Sequence, residues 1–131
     1  PTGTIVAAQG EGRSNNFTHM SYGYGRLASI PLVVLINEQS ASASEIVAGA
    51  IRDHNAGILV GEKSFGKGTM QNLVEFADGS ALRMTVAHWL TPNNTLIDKH
   101  GIIPDHVVSI TKEDIQNQRD PQIQKALELL R

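Results

Sequence analysis

Two residues in this 131-residue sequence stand out by type and setting as able to do chemistry. Ser42 follows a short apolar run, Leu32-Val33-Val34-Leu35-Ile36, within Ser40-Ala41-Ser42-Ala43-Ser44-Glu45. Ser42 and Glu45 have the S-x-x-E spacing of a capping box, so a helix is predicted to start there. A serine between a strand and a helix lies at the carboxyl end of the sheet, where α/β folds place their sites. Its oxygen could attack a carbonyl, with free first-turn N–H groups and the helix dipole stabilising an oxyanion. The plainer reading is an ordinary capping serine. Lys67 stands between two glycines in Ser64-Phe65-Gly66-Lys67-Gly68-Thr69. Glycines let the backbone turn sharply and approach a neighbour closely. A lysine is a general base only when neutral, so burial beside apolar groups such as Phe65 is required of it. The plainer reading here is a solvated turn lysine.

Other chemistries fit less well. Gly61, Gly66 and Lys67 match the start of a phosphate-binding loop, but Gly68 stands where Ser or Thr is needed and a strand follows where a helix should. His19, His54, His88, His100 and His106 form no H-x-x-x-H pair, so no metal site and no cofactor is expected. Triads are recognised by geometry, so spacing leaves a Ser-His-Asp arrangement open. His54 is read as a dipole-friendly residue at a helix end, Trp89 as core or rim packing, and Asp53 as a surface charge. Cysteine is absent, which removes disulfides, thiolate nucleophiles and Cys-based zinc sites. A net charge of −2 without basic clusters argues against nucleic acid as a partner. No apolar run is long enough to span a membrane.

The elements that must position the two residues follow from patterning. Gly3 to Ala8 reads as a strand, and residues 9 to 30, with Asn15-Asn16 and Tyr22-Gly23-Tyr24-Gly25, as a loop or loose hairpin. Leu32 to Ile36 reads as a strand buried on both faces. Ile46, Val47, Ala50 and Ile51 give a helix of about three turns, ending near His54-Asn55-Ala56-Gly57. Ile58-Leu59-Val60 is a second buried strand, which makes a βαβ unit with a parallel pair. Leu73–Phe76 and Ala81–Val86 flank Asp78-Gly79, a hairpin signal. Thr91-Pro92-Asn93-Asn94 reads as a turn, and Ile102–Pro104 with Val107-Val108 as a last extended segment. Asp120-Pro121 starts a C-terminal helix with Ile123, Ala126, Leu127 and Leu130 on one face. One α/β domain covering residues 1–131 is predicted.

Taken together, the stretch NEQSASASEIVAGAIRDHNAGILVGEKSFGKGTMQ resembles the signature block of the carboxyl-terminal processing (tail-specific) serine proteases. Gly3–Val6, Pro31–Asn37, Asp78–Leu82, Thr91-Pro92, Gly101–Asp105 and the ending around Asp120-Pro121 and Leu127 extend the resemblance over nearly the whole chain. It implies a crotonase-like (ClpP-like) protease core. It also implies a Ser/Lys dyad, with Ser42 as nucleophile and Lys67 as general base. Gln71 would orient the lysine, and the Ala43 N–H would donate to the oxyanion. Glu45 would cap the helix or pair near the lysine, and Asp53 would be structural. The implied partner is a polypeptide with an apolar C-terminus. The implied setting is exported, periplasmic or cell-envelope, with the longer protein membrane-associated.

There are departures from the family pattern. Gln39 stands where a small residue is usual. The upstream D-L-R-x-N-P-G-G segment, source of a second oxyanion donor, is not in these residues, nor is a PDZ domain. The chain opens on Pro1 rather than Met and is expected to be the C-terminal part of the catalytic core. As such it is expected to be slow or inactive alone and prone to self-association at an exposed strand edge. The rival readings are a non-catalytic peptide-binding scaffold and, by fold analogy alone, an acyl-CoA enzyme.

Overall fold

Two apolar, β-branched runs set the frame. β3 (Val33–Ile36) and β4 (Ile58–Gly61) pair in parallel, with Val33 opposite Ile58 and Ile36 opposite Gly61. Parallel neighbours need a crossover, and α1 (Ala43–Asp53) supplies it. The computed structural model describes residues 3–10, 16–23, 25 and 28–131. Asn15 and Tyr24, singled out in the sequence, lie outside the described residues. β4 also pairs in parallel with β7 (His106–Val107), giving a three-stranded sheet in the order β3-β4-β7.

A second sheet is antiparallel, in the order β2-β1-β6-β5. It contains β1 (Thr4–Gly10), β2 (Phe17–Met20), β5 (Thr69–Glu75) and β6 (Ala81–Leu90). The expected Asp78-Gly79 hairpin joins β5 to β6, with Gly79 at φ +84°, as such turns require. The loose hairpin expected over residues 9–30 contains a real strand, β2, paired with β1. The core between the sheets and α1 holds Ile36, Ala48, Leu59, Ile97 and Ile102, with Val34, Ile46, Ile51 and Trp89 packed against it.

Three expectations change. β3 is not buried on both faces: Leu35 is 43% exposed, because the core cluster lies on the opposite face, with Val34 and Ile36. On α1, Ala48 and Gly49 are buried while Val47 is exposed, since the sheet lies on the side of the two small residues. On α3 (Pro121–Leu129), Asp120 caps the Ile123 N–H at 2.9 Å as expected. Yet Ala126 and Gln122 form its buried side, leaving Ile123, Leu127 and Leu130 exposed. Gln122 is held inside because its Nε2 donates to the Val108 carbonyl at 2.8 Å. A short helix not anticipated, α2 (Lys112–Gln116), starts at a Thr111–Asp114 capping box. Among the described residues no helix is long and apolar enough to cross a membrane.

Candidate active site

Ser42 and Lys67 lie on the loops that leave the carboxyl ends of neighbouring parallel strands, β3 and β4. From Ile36 the chain makes a tight turn. The Ser40 N–H donates to the Asn37 carbonyl at 2.9 Å, and the Asn37 N–H to Ser40 Oγ at 3.1 Å. It then enters α1 through Ser42 at φ 57°, ψ −116°. Positive φ in a residue with a Cβ costs on the order of 1–3 kcal/mol and clusters at functional sites. It is the kind of sharp strand-to-helix turn that presents a nucleophile outward. The Ser42 side chain is exposed; it faces the Glu45 N–H in the expected capping box but makes no full cap hydrogen bond there.

The second loop runs beside the first. Glu62 N–H donates to the Ile36 carbonyl at 2.9 Å, and Phe65 N–H to the Ser40 carbonyl at 3.0 Å. Gly66 takes φ +89°, open to glycine at no steric cost. Gly68 is needed for a different reason: a Cβ there would lie 2.2 Å from the Asp98 backbone nitrogen. The glycines around Lys67 thus let its turn fold tightly and press against the 97–101 loop.

Glu45 joins the two loops. It is fully buried, at 0% exposure. Its Oε2 accepts from the Ser42 N–H at 2.9 Å and the Lys67 N–H at 2.8 Å. Its Oε1 accepts from Ser64 Oγ at 2.5 Å and the Gly66 N–H at 2.6 Å. Four neutral donors saturate the carboxylate, which is how a buried polar group avoids its desolvation cost. Of the two roles expected for Glu45, it caps the helix start, and its link to the lysine is to the backbone rather than to the ammonium.

The side chains are less assembled than the backbone. No hydrogen bond joins the Ser42 hydroxyl to Lys67, and among the described residues the Lys67 ammonium has no partner. Lys67 is exposed and Phe65 is 65% exposed, so the apolar burial expected around the lysine is not provided by these residues. Gln71 lies on β5 at a bulge, exposed and without a bond to Lys67. Ala43 is the first residue of α1, and its N–H has no acceptor among the described residues. Gln39 is exposed in the turn, its N–H on Asn37 Oδ1 at 3.1 Å.

The match to known proteins decides the family. Residues 1–108 match the model for Peptidase family S41. The chain belongs to that family. Over 103 residues it is 50% identical to a carboxyl-terminal-processing protease of Synechocystis, covering 76% of this chain and 24% of that one. It is 59% identical over 75 residues to carboxyl-terminal-processing peptidase 3, chloroplastic, of Arabidopsis thaliana, covering 57% and 14%. In structure it resembles a photosystem II D1 C-terminal processing protease, with TM-score 0.75, 37% identity, and 82% and 28% of the two chains covered. The tricorn protease, at 18% identity and TM-score 0.60 over 76% and 10%, shares the fold. This S41 chain therefore spans about a quarter of the length of the bacterial relative it matches.

The remaining marked residues of the S41 chain are structural in their contacts. The Asp53 side chain is 2% exposed and pairs with Arg52 at 3.0 Å. Its Oδ2 accepts from the Asn93 N–H at 2.9 Å, tying the end of α1 to the Thr91–Asn94 turn. Burial alone would raise the Asp53 carboxyl, but hydrogen bonds from Thr91, Asn93 and Arg52 outweigh it and hold it below the ordinary aspartate value. His54, at the end of α1, bonds the Thr4 carbonyl at 2.6 Å and so ties the helix to β1. Sequence reading passed over Ser64, which is buried and bonded to Glu45, because a buried and a surface serine look alike in sequence.

Proposed function

We propose that this chain carries the Ser/Lys core of a serine endopeptidase that cuts polypeptides near their C-terminal tails. The observation that carries the reading is the shared Glu45 oxygen, which binds the backbones of Ser42 and Lys67 at once. Neutral Lys67 takes the proton of Ser42 as its oxygen attacks the scissile carbonyl. The Ala43 N–H holds the oxyanion. Protonated Lys67 then gives its proton to the leaving amine. Water, deprotonated by Lys67, hydrolyses the acyl-enzyme and frees Ser42. Gln71 orients the lysine once the side chains close on substrate. The edge strand β5 begins just after Lys67, and an extended polypeptide can pair with such an edge.

The finer reading is a crotonase-like core that is slow alone. Slowness alone is supported by the exposed Lys67, which lacks the burial that a neutral base needs, and by the bare β3 edge, where Leu32 and Leu35 are 41% and 43% exposed. Further protein seated on that edge would cover these residues, dehydrate Lys67 and supply the second oxyanion donor. Until it does, the bare edge favours self-association. An exported setting, with the longer protein at a membrane, belongs to the same reading.

A second reading, a non-catalytic scaffold that binds peptide tails, is favoured by the exposed Lys67, whose ammonium has no partner among the described residues. Labelling by a fluorophosphonate, mapped on wild type, Ser42→Ala, Ser44→Ala and Lys67→Ala, separates the two. Label on Ser42 that needs Lys67 but not Ser44 supports the protease. No label on this chain, nor on one extended upstream, together with peptide binding that survives Ser42→Ala, supports the scaffold.

A further inference from the structure

Ser64 occupies an unusual place in the network. It is 4% exposed, and its single hydroxyl has both of its roles fixed. It donates to Glu45 Oε1 at 2.5 Å and accepts from the Ile102 N–H at 2.6 Å. The Ser64 N–H in turn donates to the Ile102 carbonyl at 3.0 Å, so the two residues bond each other twice. Ile102 is fully buried in the core cluster. A Cβ on Gly101 would lie 2.5 Å from the Ser64 carbonyl oxygen, so the contact is close along the backbone as well. Lys99 N–H adds a bond to the Gly66 carbonyl at 2.8 Å.

From this we infer that Ser64 is a positioning residue for the catalytic pair, a role that rests on the Ser/Lys reading above. The hydroxyl refers the position of the Glu45 carboxylate to the rigid core at Ile102. Glu45 then sets the Ser42 backbone, which is strained, and the Lys67 backbone, which turns between glycines. The Ser42 carbonyl is held by the first turn of α1, through the Glu45 and Ile46 N–H groups, but its N–H is held by Glu45 Oε2, as is that of Lys67. Without the hydroxyl, Ile102 loses its buried acceptor and Glu45 Oε1 keeps only the Gly66 N–H. The carboxylate is then free to shift, and both reacting groups shift with it. Misplacement of about 1 Å costs on the order of 100-fold in rate.

The test compares Ser64→Ala, Ser64→Cys and Ser64→Thr with wild type, in this chain and in the chain extended upstream. Cysteine keeps the volume but is a weak donor and acceptor, and threonine keeps the hydroxyl. Two readouts are taken: the rate of fluorophosphonate labelling at Ser42, and amide hydrogen exchange at Ser42, Gly66, Lys67 and Ile102. Expected in Ser64→Ala and Ser64→Cys are a labelling rate lower by about 10- to 100-fold, at unchanged probe affinity, and faster exchange confined to those four amides. Ser64→Thr recovers most of both. If Ser64→Ala does not fold, Ser64→Cys carries the comparison. Unchanged exchange at the four amides overturns the inference, as does a rate loss that threonine fails to rescue or that only tracks the unfolded fraction. If wild type is never labelled in either chain, the protease reading fails and the catalytic role of Ser64 falls with it; exchange that still behaves as expected then marks a structural tie between Glu45 and Ile102 alone.

Discussion

The backbone N–H groups of Ser42 and Lys67 converge on one oxygen atom, Oε2 of Glu45, at 2.9 and 2.8 Å. The residues stand on different loops, yet one carboxylate fixes their relative position. A neutral glutamine at position 45 cannot replace it. Whichever way the amide is turned, its NH₂ faces a backbone N–H that cannot accept: those of Ser42 and Lys67 on one side, that of Gly66 on the other. Glu45→Gln is therefore expected to cost about 2–4 kcal/mol of stability, through buried donors left unpaired. It should also reduce Ser42 labelling far more than the folded fraction falls. Urea melts and labelling rates on the same samples check this. Equal stability in the glutamine variant would show that the carboxylate is not the link.

The glycines give a graded prediction. A Cβ on Gly61, at φ +128°, would lie 2.0 Å from the Ile36 carbonyl oxygen, and one on Gly68 would lie 2.2 Å from Asp98 N. A Cβ on Gly79, at φ +84°, would meet nothing within 4 Å. Gly79→Ala should cost about 1–2 kcal/mol, the backbone term alone. Gly61→Ala and Gly68→Ala add a clash with main chain that cannot move aside, and should cost clearly more. Thermal melts rank the three. A Gly68→Ala variant as stable as Gly79→Ala would contradict the packing of the lysine turn on the 97–101 loop.

These contacts also show where sequence reading reaches its limit. The β3-α1-β4 unit, the Asp78-Gly79 hairpin and the Asp120-Pro121 helix start are written in short-range patterns, and each forms where expected. The burial of Leu35, or of Ala48 rather than Val47, depends on which neighbour covers a face, and local pattern does not carry that. Ser64 is the sharpest case. Its partner Ile102 is 38 residues away, and nothing in the residue type distinguishes it from a surface serine. Ser42 was legible as a helix-start serine, but its positive φ was not, because serine gives no sign of left-handed backbone.

Asp53 sets a pH dependence with a definite sign. Its folded-state carboxyl is held below the ordinary value of 3.8, burial opposing and the Thr91, Asn93 and Arg52 hydrogen bonds prevailing. A depressed carboxyl contributes stability that is present above its unfolded value and lost as pH falls through the folded one. Stability should therefore hold from neutral pH to about 5 and decline as pH falls below the ordinary aspartate range. Asp53→Asn should lose about 1–3 kcal/mol at pH 7 and show a shallower acid decline. Urea melts from pH 7 to 2.5 test it. Parallel acid profiles in the two proteins would mean that Asp53 does not carry the effect.

Ser42 offers the most direct test of backbone strain at the proposed nucleophile. Its φ of 57° is held by the Glu45 bond to its N–H and by the start of α1. Alanine at this position keeps the Cβ and hence the strain, whereas glycine removes both. Ser42→Gly should then be about 1 kcal/mol more stable than Ser42→Ala, although glycine ordinarily lowers stability through chain entropy. Both variants lack the hydroxyl and should be silent to a fluorophosphonate. Side-by-side urea melts at neutral pH decide it. A glycine variant less stable than the alanine one would mean that Ser42 relaxes out of the left-handed region in solution. The sharp turn into α1 would then no longer explain how its hydroxyl is presented.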